Sequence, residues 1–285
     1  MKFCCGVTLY YPSKNELESI RKYREIFDFV YLFDNTDSSG RLNNEKFFFD
    51  DDGFVYCSNK TNEGLSVAYN IMCSQAISDG FDYICLFDQD STILNKDVIK
   101  IIDYIHIDDM EEVAVYAPEI VYKYENIAIY SGENKARGVE IAWAISSGSF
   151  INLVAYQKTE GFDENYFIDR LDYDYCLIIR RLGYKVINIK NVLLYQKLGE
   201  QGKGIFKRVS QHGALRHYYI FRNRLYFYFK RNKISIVEVI KVGLLSLKHI
   251  VKVFLLEEQK VEKVKMMICG LKDFSQNKMG KYQKL

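Results

Sequence analysis

Two carboxylates, Asp88 and Asp90, directly follow an apolar run in the segment YICLFDQDS at residues 83–91. In an extended strand, residues i and i+2 project from the same face, so both side chains would point together from the end of a strand. Mg²⁺ prefers oxygen ligands and commonly bridges one or two carboxylates to the phosphates of a substrate. The spacing therefore favours a cation site for a nucleotide-linked substrate over an ordinary polar turn, which Asp and Ser also form where strands end.

Two further segments carry small or acidic side chains. The segment ISSGSF at 145–150 places hydroxyl groups around Gly148, where the backbone can approach a ligand closely. Asp169, Asp172 and Asp174 stand at the start of a predicted helix that runs to Leu182. The helix dipole stabilises acidic residues at this position, but three carboxylates are more than this role needs.

A basic and aromatic helix is predicted beyond Gly213. Its spacing brings Arg216, Tyr219 and Asn223 toward one face, with Arg222 close by. Because Arg binds phosphate with two parallel hydrogen bonds, this helix predicts a contact to a diphosphate.

The elements that must position these residues alternate between strand and helix. Strands are predicted at 3–10, 29–33, 54–57, 83–87 and 113–117, and helices after Ser13 and over 64–76 and 95–107. Such alternation predicts an α/β fold with a mostly parallel sheet, in which ligands bind beyond the carboxyl ends of the strands. The polar residues found at those ends are Thr8, Tyr10, Asp34, Asn35, Asp88 and Asp90.

Composition and charge narrow the classes of function. Hydrophobic content of 48% and aromatic content of 15% predict a packed protein. Seven cysteines without a CxxC pair predict reduced thiols, and the N-terminus lacks a signal-peptide pattern, so we expect a cytoplasmic protein. No zinc-finger spacing, RNP-type aromatic motif or heptad-linked basic region is present, which argues against a nucleic-acid partner.

The charge is unevenly distributed along the chain. Residues 203–285 contain 19 Lys and Arg but only five Asp and Glu. Since the whole chain has 39 Lys and Arg and 37 Asp and Glu, residues 1–202 contain 20 basic and 32 acidic residues. We expect a catalytic domain at 1–212 and a basic, amphipathic helical region at 213–285. Lysines interrupt the apolar stretch 234–256, which predicts an interfacial helix on an anionic membrane or a helix that packs on the domain.

The motifs together resemble those of the family 2 glycosyltransferases of the GT-A fold, most closely the bacterial rhamnosyltransferase-like branch. The resemblance covers nearly the whole chain. It rests on VTLY at 7–10, FDNTD at 33–37, NEGLSVAYN at 62–70, FDQDS at 87–91, SGS at 147–149, FIDRLDYD at 167–174 and RHYYIFRN at 216–223. One departure is visible, because Gln196 begins a QKLG segment where the family often has His-x-x-Gly.

The resemblance implies inverting transfer of one sugar from a nucleoside diphosphate to an acceptor hydroxyl, with Asp172 as general base and Mg²⁺ or Mn²⁺ held by Asp88 and Asp90. The implied nucleotide-sugar site comprises Thr8, Tyr10, Asp34, Asn35, Asn62, Gly64, Asp88, Gln89, Arg216, Tyr219, Arg222 and Asn223. The implied acceptor or sugar side comprises Ser147, Gly148, Asp169 and Asp174. The best donor is dTDP-rhamnose, with UDP-linked sugars open, and the acceptor is a cell-surface glycan or a lipid-linked oligosaccharide.

Two alternatives belong to other classes. The segment 86–93 also fits the signature of haloacid-dehalogenase-type phosphohydrolases, with Asp88 as nucleophile and Asp90 as acid/base. A non-catalytic protein that binds glycan or membrane is the second alternative. If the protein is a glycosyltransferase, we expect it to lie peripherally on the inner face of the cell membrane. The sequence leaves open whether it forms a homodimer.

Overall fold

The computed structural model describes residues 1–108, 111–122, 135–196, 200–201, 210–231 and 235–283. The strands are β1 Phe3–Leu9, β2 Val30–Asp34, β3 Phe54–Cys57, β4 Tyr83–Asp88, β5 Thr92–Ile93, β6 Val113–Tyr122, β7 Arg137–Glu140, β8 Ser149–Asn152, β9 Lys185–Gln196, β10 Glu200–Gln201 and β11 Ser210–Gln211. The helices are α1 Lys14–Arg21, α2 Ser38–Phe48, α3 Leu65–Ser78, α4 Asn95–Asp108, α5 Leu153–Tyr156, α6 Leu171–Arg181, α7 Ala214–Tyr226, α8 Ile236–Leu256 and α9 Lys260–Ser275. Short 3₁₀ and π-helical turns follow α1 and α7 at Lys22–Glu25 and Phe227–Arg231.

The described strands form a nine-stranded sheet in the order β3-β2-β1-β4-β8-β6-β9-β5, with β7 paired to β9, and a separate ribbon of β10 and β11. The first four strands are parallel, and β8 lies antiparallel between β4 and β6. Thr8 of β1 is in register with Asp88 of β4, so the ends of these strands meet at one edge of the sheet. The predicted α/β fold with a mostly parallel sheet is confirmed.

Helices cover both faces of the sheet, as the alternation along β1 requires. Cys4 packs in the cluster that contains α3 and α6, whereas Cys5 packs in the cluster that contains α1 and α4. Such period-two alternation between two buried faces is what a central strand of an α/β sheet needs. All seven cysteines are free thiols.

Two differences from the predicted elements have local causes. Helix α2 was not predicted, because its Ser, Gly and Asn residues compete with helical hydrogen bonding and favour turns. Strand β6 continues to Tyr122 past Pro118, with a register shift between Pro118 and Glu119 where the missing amide would interrupt the ladder. The predicted helix after Ser13 is α1, and Ser13 and Glu16 form a capping box at its start.

The C-terminal helices have a small core of their own, formed by Phe221, Leu225, Val242, Val253 and Met267. Helix α7 also reaches back to the loop before α6, through Asn223 and Arg216. The domain division at residue 212 stays a prediction. Within the described ranges, every helix is too short or too polar to cross a membrane.

Candidate active site

Asp88 lies at the carboxyl end of β4 and is bonded by groups from three other parts of the fold. Tyr69 of α3 donates a hydrogen bond of 3.2 Å to Oδ1, and Gln196 of β9 donates one of 3.1 Å to Oδ2. The backbone N–H of Asp88 donates to Oγ of Ser147, which is also 2.6 Å from Oγ of Ser91. The carboxylate is therefore held in a fixed orientation where the strands end.

The charge around Asp88 is unbalanced in favour of anions. Burial and, after it, the charges of Asp90 and Asp172 raise the pKa of Asp88 to about 7, although a hydrogen bond from Tyr69 and the charge of Arg216 lower it. Asp90 and Asp172 are therefore near enough to Asp88 for their charges to act on it.

The carboxylates of Asp88 and Asp90 fit a divalent cation if other groups complete its set of ligands. Carboxylate oxygens suit Mg²⁺ and Mn²⁺, and a cation would offset the repulsion that raises the pKa of Asp88. Among the residues that the structure describes, no cluster of three His, Cys, Asp or Glu side chains forms a complete cage. The arrangement therefore fits a cation that Asp88 and Asp90 hold together with the phosphates of a substrate.

Asp172 occupies the first turn of α6 and is hydrogen-bonded by one residue. The backbone N–H of Ser146 donates a bond of 2.9 Å to Oδ1, and the Ser146 hydroxyl donates to the same oxygen. Burial raises the pKa of Asp172, the two bonds from Ser146 oppose this rise, and the charge of Asp169 adds to it. Ser146 binds the carboxylate of Asp172, and the adjacent Ser147 accepts from the backbone N–H of Asp88, so one loop connects the two residues.

That loop depends on Gly148, which has a φ of +76°. Its N–H donates a hydrogen bond of 2.6 Å to the carbonyl of Leu86 in β4. A Cβ atom there would lie 3.0 Å from Pro118, in a backbone conformation that side chains rarely adopt. Ser147 and Gly148 thus hold the loop against the end of β4. Their predicted role on the acceptor side stays a prediction.

A salt bridge ties α7 to the loop before α6. Nε of Arg216 lies 2.8 Å from Oδ2 of Asp169, and Nη2 donates a bond of 2.9 Å to Oδ1. Asp169 and Arg170 both have a positive φ, 66° and 71°, a strained conformation in residues other than glycine. Arg216 keeps 42% of its side chain exposed, so it can still meet a ligand at the rim.

Tyr219 and Asn223 share the Arg216 face of α7, as the spacing predicts, but they serve the same loop. Tyr219 stacks on Phe167 at 5.2 Å, and Asn223 donates hydrogen bonds of 2.6 and 3.2 Å to the carbonyls of Ile168 and Asp169. Both are buried. In this structure they position the loop, and the expected contact of both residues to the nucleotide sugar stays a prediction.

Arg222 also departs from its expected place. It is fully buried, and its guanidinium donates to the Tyr218 hydroxyl at 3.0 Å and to the Gly280 carbonyl at 2.8 Å. These partners fix the C-terminal tail on α7. The guanidinium donors are thus taken up inside the protein, and the expected diphosphate contact stays a prediction.

Asp174 and Asp34 are also buried, and their expected contacts to substrate stay predictions. The Tyr166 hydroxyl donates to Asp174 at 3.5 Å. Asp34 accepts from the N–H of Thr36 at 2.7 Å, from Asn44 at 2.8 Å and from the Tyr56 hydroxyl. The structure thus assigns both carboxylates to internal hydrogen-bonding networks.

Asn35, Asn62 and Gly64 build the turn that starts α3. Asn35 accepts from the N–H of Glu63 at 2.9 Å, and Asn62 accepts from the N–H of Gly64 at 3.0 Å. Gly64 has a φ of +86°, and a Cβ atom there would come within 2.4 Å of the Phe167 carbonyl. The motif therefore brings α3 against the loop before α6.

Gln89 fixes the end of β1. Its side-chain carbonyl accepts from the N–H of Tyr10 at 2.7 Å, and its amide donates to the Tyr10 carbonyl at 3.1 Å. Tyr10 is 53% exposed beside this link, and Thr8 is buried next to Asp88. Gln89 is thus a positioning residue, while the exposed Tyr10 ring lies where a ligand could meet it.

The structure brings together the predicted residues Thr8, Tyr10, Asp88, Gln89, Asp90, Ser147, Gly148, Asp169, Asp172 and Arg216. Sequence reasoning missed Ser146 and Tyr69 as site residues. Ser146 lies in the ISSGSF segment at 145–150, which already indicated a ligand site. Nothing in the sequence around Tyr69 distinguishes it from a tyrosine of the core. Residues 197–199 of the QKLG segment lie outside the described residues.

Comparison with known proteins decides the family. The family model "Glycosyl transferase family 2" matches residues 14–161, more than half of the chain, and includes Asp88 and Asp90. The chain belongs to glycosyl transferase family 2. Membership makes the protein a glycosyltransferase that uses a nucleotide sugar, and the phosphohydrolase reading of residues 86–93 is set aside.

Individual relatives agree with this family. The chain is 24% identical to the dTDP-rhamnosyl transferase RfbF of Shigella flexneri, over 74% of this chain and 75% of the relative. Two solved structures share the fold. They are Staphylococcus aureus TarS 1-349 with UDP-GlcNAc (TM-score 0.56, 13% identity, 97% of this chain and 81% of that chain) and the mannosyltransferase PcManGT of Pyrobaculum calidifontis with GDP-Man and Mn²⁺ (TM-score 0.54, 12% identity, 96% and 75%). The GT-A fold and the likeness to a rhamnosyltransferase are confirmed.

Proposed function

We propose that this family member transfers L-rhamnose from dTDP-rhamnose, with inversion, to a hydroxyl of a cell-surface glycan or lipid-linked oligosaccharide precursor. The donor is inferred from the relative described as a dTDP-rhamnosyl transferase. The observation that supports the mechanism is the loop in which Ser146 bonds the carboxylate of Asp172 and Ser147 accepts from the backbone N–H of Asp88. This loop would keep the proposed base near the proposed phosphate-side residue.

Asp172 would act as the general base. The acceptor oxygen bonds to the anomeric carbon while the bond from that carbon to the diphosphate breaks, and the electron pair leaves with the nucleotide. The acceptor proton passes to Asp172, whose pKa burial raises toward that of a useful base. Attack opposite the leaving group inverts the anomeric centre.

Asp88 and Asp90 would hold Mg²⁺ or Mn²⁺ at the phosphate side. When bound, the cation would neutralise charge that develops on the leaving diphosphate. The exposed part of Arg216 lies close enough to Asp88 to lower its pKa, so this guanidinium would meet the same phosphates. Removal of the metal with a chelator should therefore weaken nucleotide binding.

Asp172→Asn tests the mechanism, because it keeps the shape of the side chain and removes the base. We expect dTDP-rhamnose binding to persist, while transfer to an oligosaccharide acceptor falls about 10²- to 10⁴-fold. Asp52→Asn, at an exposed carboxylate in the turn before β3, is the matched control and should transfer normally. Undiminished transfer by Asp172→Asn would refute the assignment.

The donor is tested by thermal shift with dTDP, UDP and GDP and their sugars, because a ligand that binds only the folded state raises its stability. We expect the largest shift from dTDP-rhamnose in the presence of Mg²⁺ or Mn²⁺. A larger shift from a UDP-sugar or GDP-sugar would replace the proposed donor.

Helix α8 supports a peripheral position on the inner face of the cell membrane. One arc of the helix, about 160° wide at 3.6 residues per turn, carries the exposed side chains Ile236, Val237, Val239, Ile240, Leu244, Leu247, Val251, Phe254 and Leu255. Lys241, Lys248 and Lys252 follow one edge of this arc. Apolar side chains bordered by lysines are typical of helices that lie in an anionic lipid surface.

Flotation with phosphatidylglycerol vesicles tests this position, with phosphatidylcholine vesicles as the control. We expect the protein to float with the anionic vesicles at low salt and the double variant Leu244→Gln, Leu247→Gln to stay at the bottom. Sedimentation without lipid tests the competing occupant, a second copy of the chain. A stable dimer that fails to float would overturn the membrane proposal.

A further inference from the structure

A cleft of about 290 Å³ opens between β6, β9 and the loop 141–145. Its lining includes Pro118, Glu119, Trp143, Ile145, Asn188 and Lys190. The lining loop continues directly into Ser146, which bonds Asp172. The volume is at the small end of ligand pockets, so the cleft fits a compact unit better than a whole nucleotide sugar.

Trp143 gives this cleft a rigid aromatic wall. It stacks on Tyr173 at a centroid distance of 4.0 Å and an interplanar angle of 24°, and the guanidinium of Arg170 lies 4.5 Å from the Tyr173 centroid. Trp143 nevertheless keeps 42% of its surface exposed. A large indole that is held in place before a ligand arrives loses little freedom when it binds one.

The polar lining is neutral overall. Nζ of Lys190 donates a bond of 2.9 Å to Oε1 of Glu119, and Glu119 also accepts from the N–H of Asn191 at 2.8 Å. Asn188 donates to the carbonyl of Pro118 at 2.8 Å. A paired cation and anion present a donor and an acceptor to hydroxyl groups without attracting a phosphate.

We propose that this cleft binds a neutral pyranose residue of the acceptor glycan, with the C–H face of the sugar ring against Trp143. A flat apolar ring beside hydrogen-bonding groups matches a sugar, which has an apolar face and a rim of hydroxyls. The acceptor hydroxyl would then face Asp172, one residue before Tyr173 on α6. This inference rests on the proposed function and specifies its acceptor as a neutral sugar.

The chain has a single tryptophan, so indole fluorescence reports on this cleft alone. The probes are the methyl pyranosides of rhamnose, glucose, galactose and N-acetylglucosamine, added to protein with and without dTDP. We expect a saturable change in emission with at least one pyranoside that persists when dTDP is bound. No saturable change with any of the four, or a loss of the change when dTDP is bound, overturns the proposal.

Variants separate binding from folding. By saturation-transfer NMR, we expect Trp143→Ala to bind the responsive pyranoside roughly threefold to tenfold more weakly, and Trp143→Phe to restore most of the affinity. Phe49→Ala, at an aromatic residue that is 88% exposed outside the cleft, is the matched control and should bind normally. Unchanged affinity in Trp143→Ala overturns the proposal.

Thermal shift with dTDP, run on each variant, distinguishes a failure of the proposed donor from a failure of the proposed acceptor cleft. A dTDP shift that is equal in wild type and Trp143→Ala shows that the donor site is intact and that the loss is confined to the cleft. If no nucleotide diphosphate stabilises the wild type, the proposed donor fails, while the pyranoside titration still decides the cleft.

Discussion

The side-chain amide of Gln196 donates a hydrogen bond of 3.1 Å to Oδ2 of Asp88. Gln196 stands where the family often has a histidine, which would be expected to touch the metal or the diphosphate. In this protein the position instead holds the carboxylate that faces Asp90 and Asp172. Under the proposed function, Gln196 would therefore orient the metal ligand Asp88 and would not itself bind the metal.

We expect Gln196→His to tighten Mn²⁺ binding, because a neutral imidazole at this place adds a nitrogen ligand beside Asp88. Gln196→Ala should weaken binding roughly threefold to tenfold, since Asp88 loses a hydrogen bond that orients it. Calorimetric titration of Mn²⁺ in the presence of dTDP measures both. Equal Mn²⁺ affinity in all three proteins would show that this position does not act on the metal.

Arg216 and Arg222 should differ in what they support. We expect Arg222→Met to lower the free energy of unfolding by about 2–4 kcal/mol, because the Gly280 carbonyl and the Tyr218 hydroxyl lose their buried partner. Arg216→Met, at a half-exposed residue, should mainly raise KM for the nucleotide sugar. Urea unfolding and steady-state kinetics test the pair. The reverse pattern would show that Arg222, and not Arg216, contacts the diphosphate.

Gly64→Ala should destabilise the protein by about 2–4 kcal/mol and weaken donor binding, because its Cβ would clash with the Phe167 carbonyl. Gly80→Ala is the matched control, with a similar φ of +77° and no atom within 4 Å of its Cβ. It should cost only about 1 kcal/mol, the strain of the left-handed conformation. Urea unfolding compares the two, and equal losses would contradict the steric argument.

Acid should weaken the C-terminal helices through His249. Nε2 of His249 is 2.9 Å from Nδ1 of His217, and Nδ1 of His249 is 3.3 Å from Arg224. Burial lowers the pKa of His249 to about 4, and the positive charge of Arg224 adds to the effect. The unfolded chain therefore binds more protons between pH 6.5 and 4, so stability is full above this window and falls as the pH drops through it.

His249→Gln keeps hydrogen-bonding groups and removes the titration. We expect its free energy of unfolding to fall less than that of the wild type between pH 7 and pH 4.5, by a difference on the order of 1 kcal/mol, and its Tm to fall less accordingly. His212, whose pKa burial also lowers to about 4, keeps part of the slope in both proteins. Identical pH profiles of Tm would exclude His249 as a source of the acid sensitivity.

The sequence itself determined the class of fold and the centre of the site. Apolar runs that end in polar residues predict strands whose carboxyl ends meet, and β1 and β4 do meet with Thr8 beside Asp88. The spacing of Asp88 and Asp90 and the acidic start of α6 are local features, so they can be read from neighbouring residues. The family resemblance rested on the same segments.

Only the tertiary structure decided which polar side chains face a ligand. Arg216 and Arg222 lie six residues apart on α7, so they point in different directions, and Arg222 is buried with its donors bonded to Tyr218 and to the tail at Gly280. Asp34 has its acceptors satisfied by Asn44 and Tyr56, and Gln196 reaches Asp88 from 108 residues away. A hydrogen bond satisfies a polar group whatever the sequence distance of its partner, so this outcome depends on packing and not on the motif.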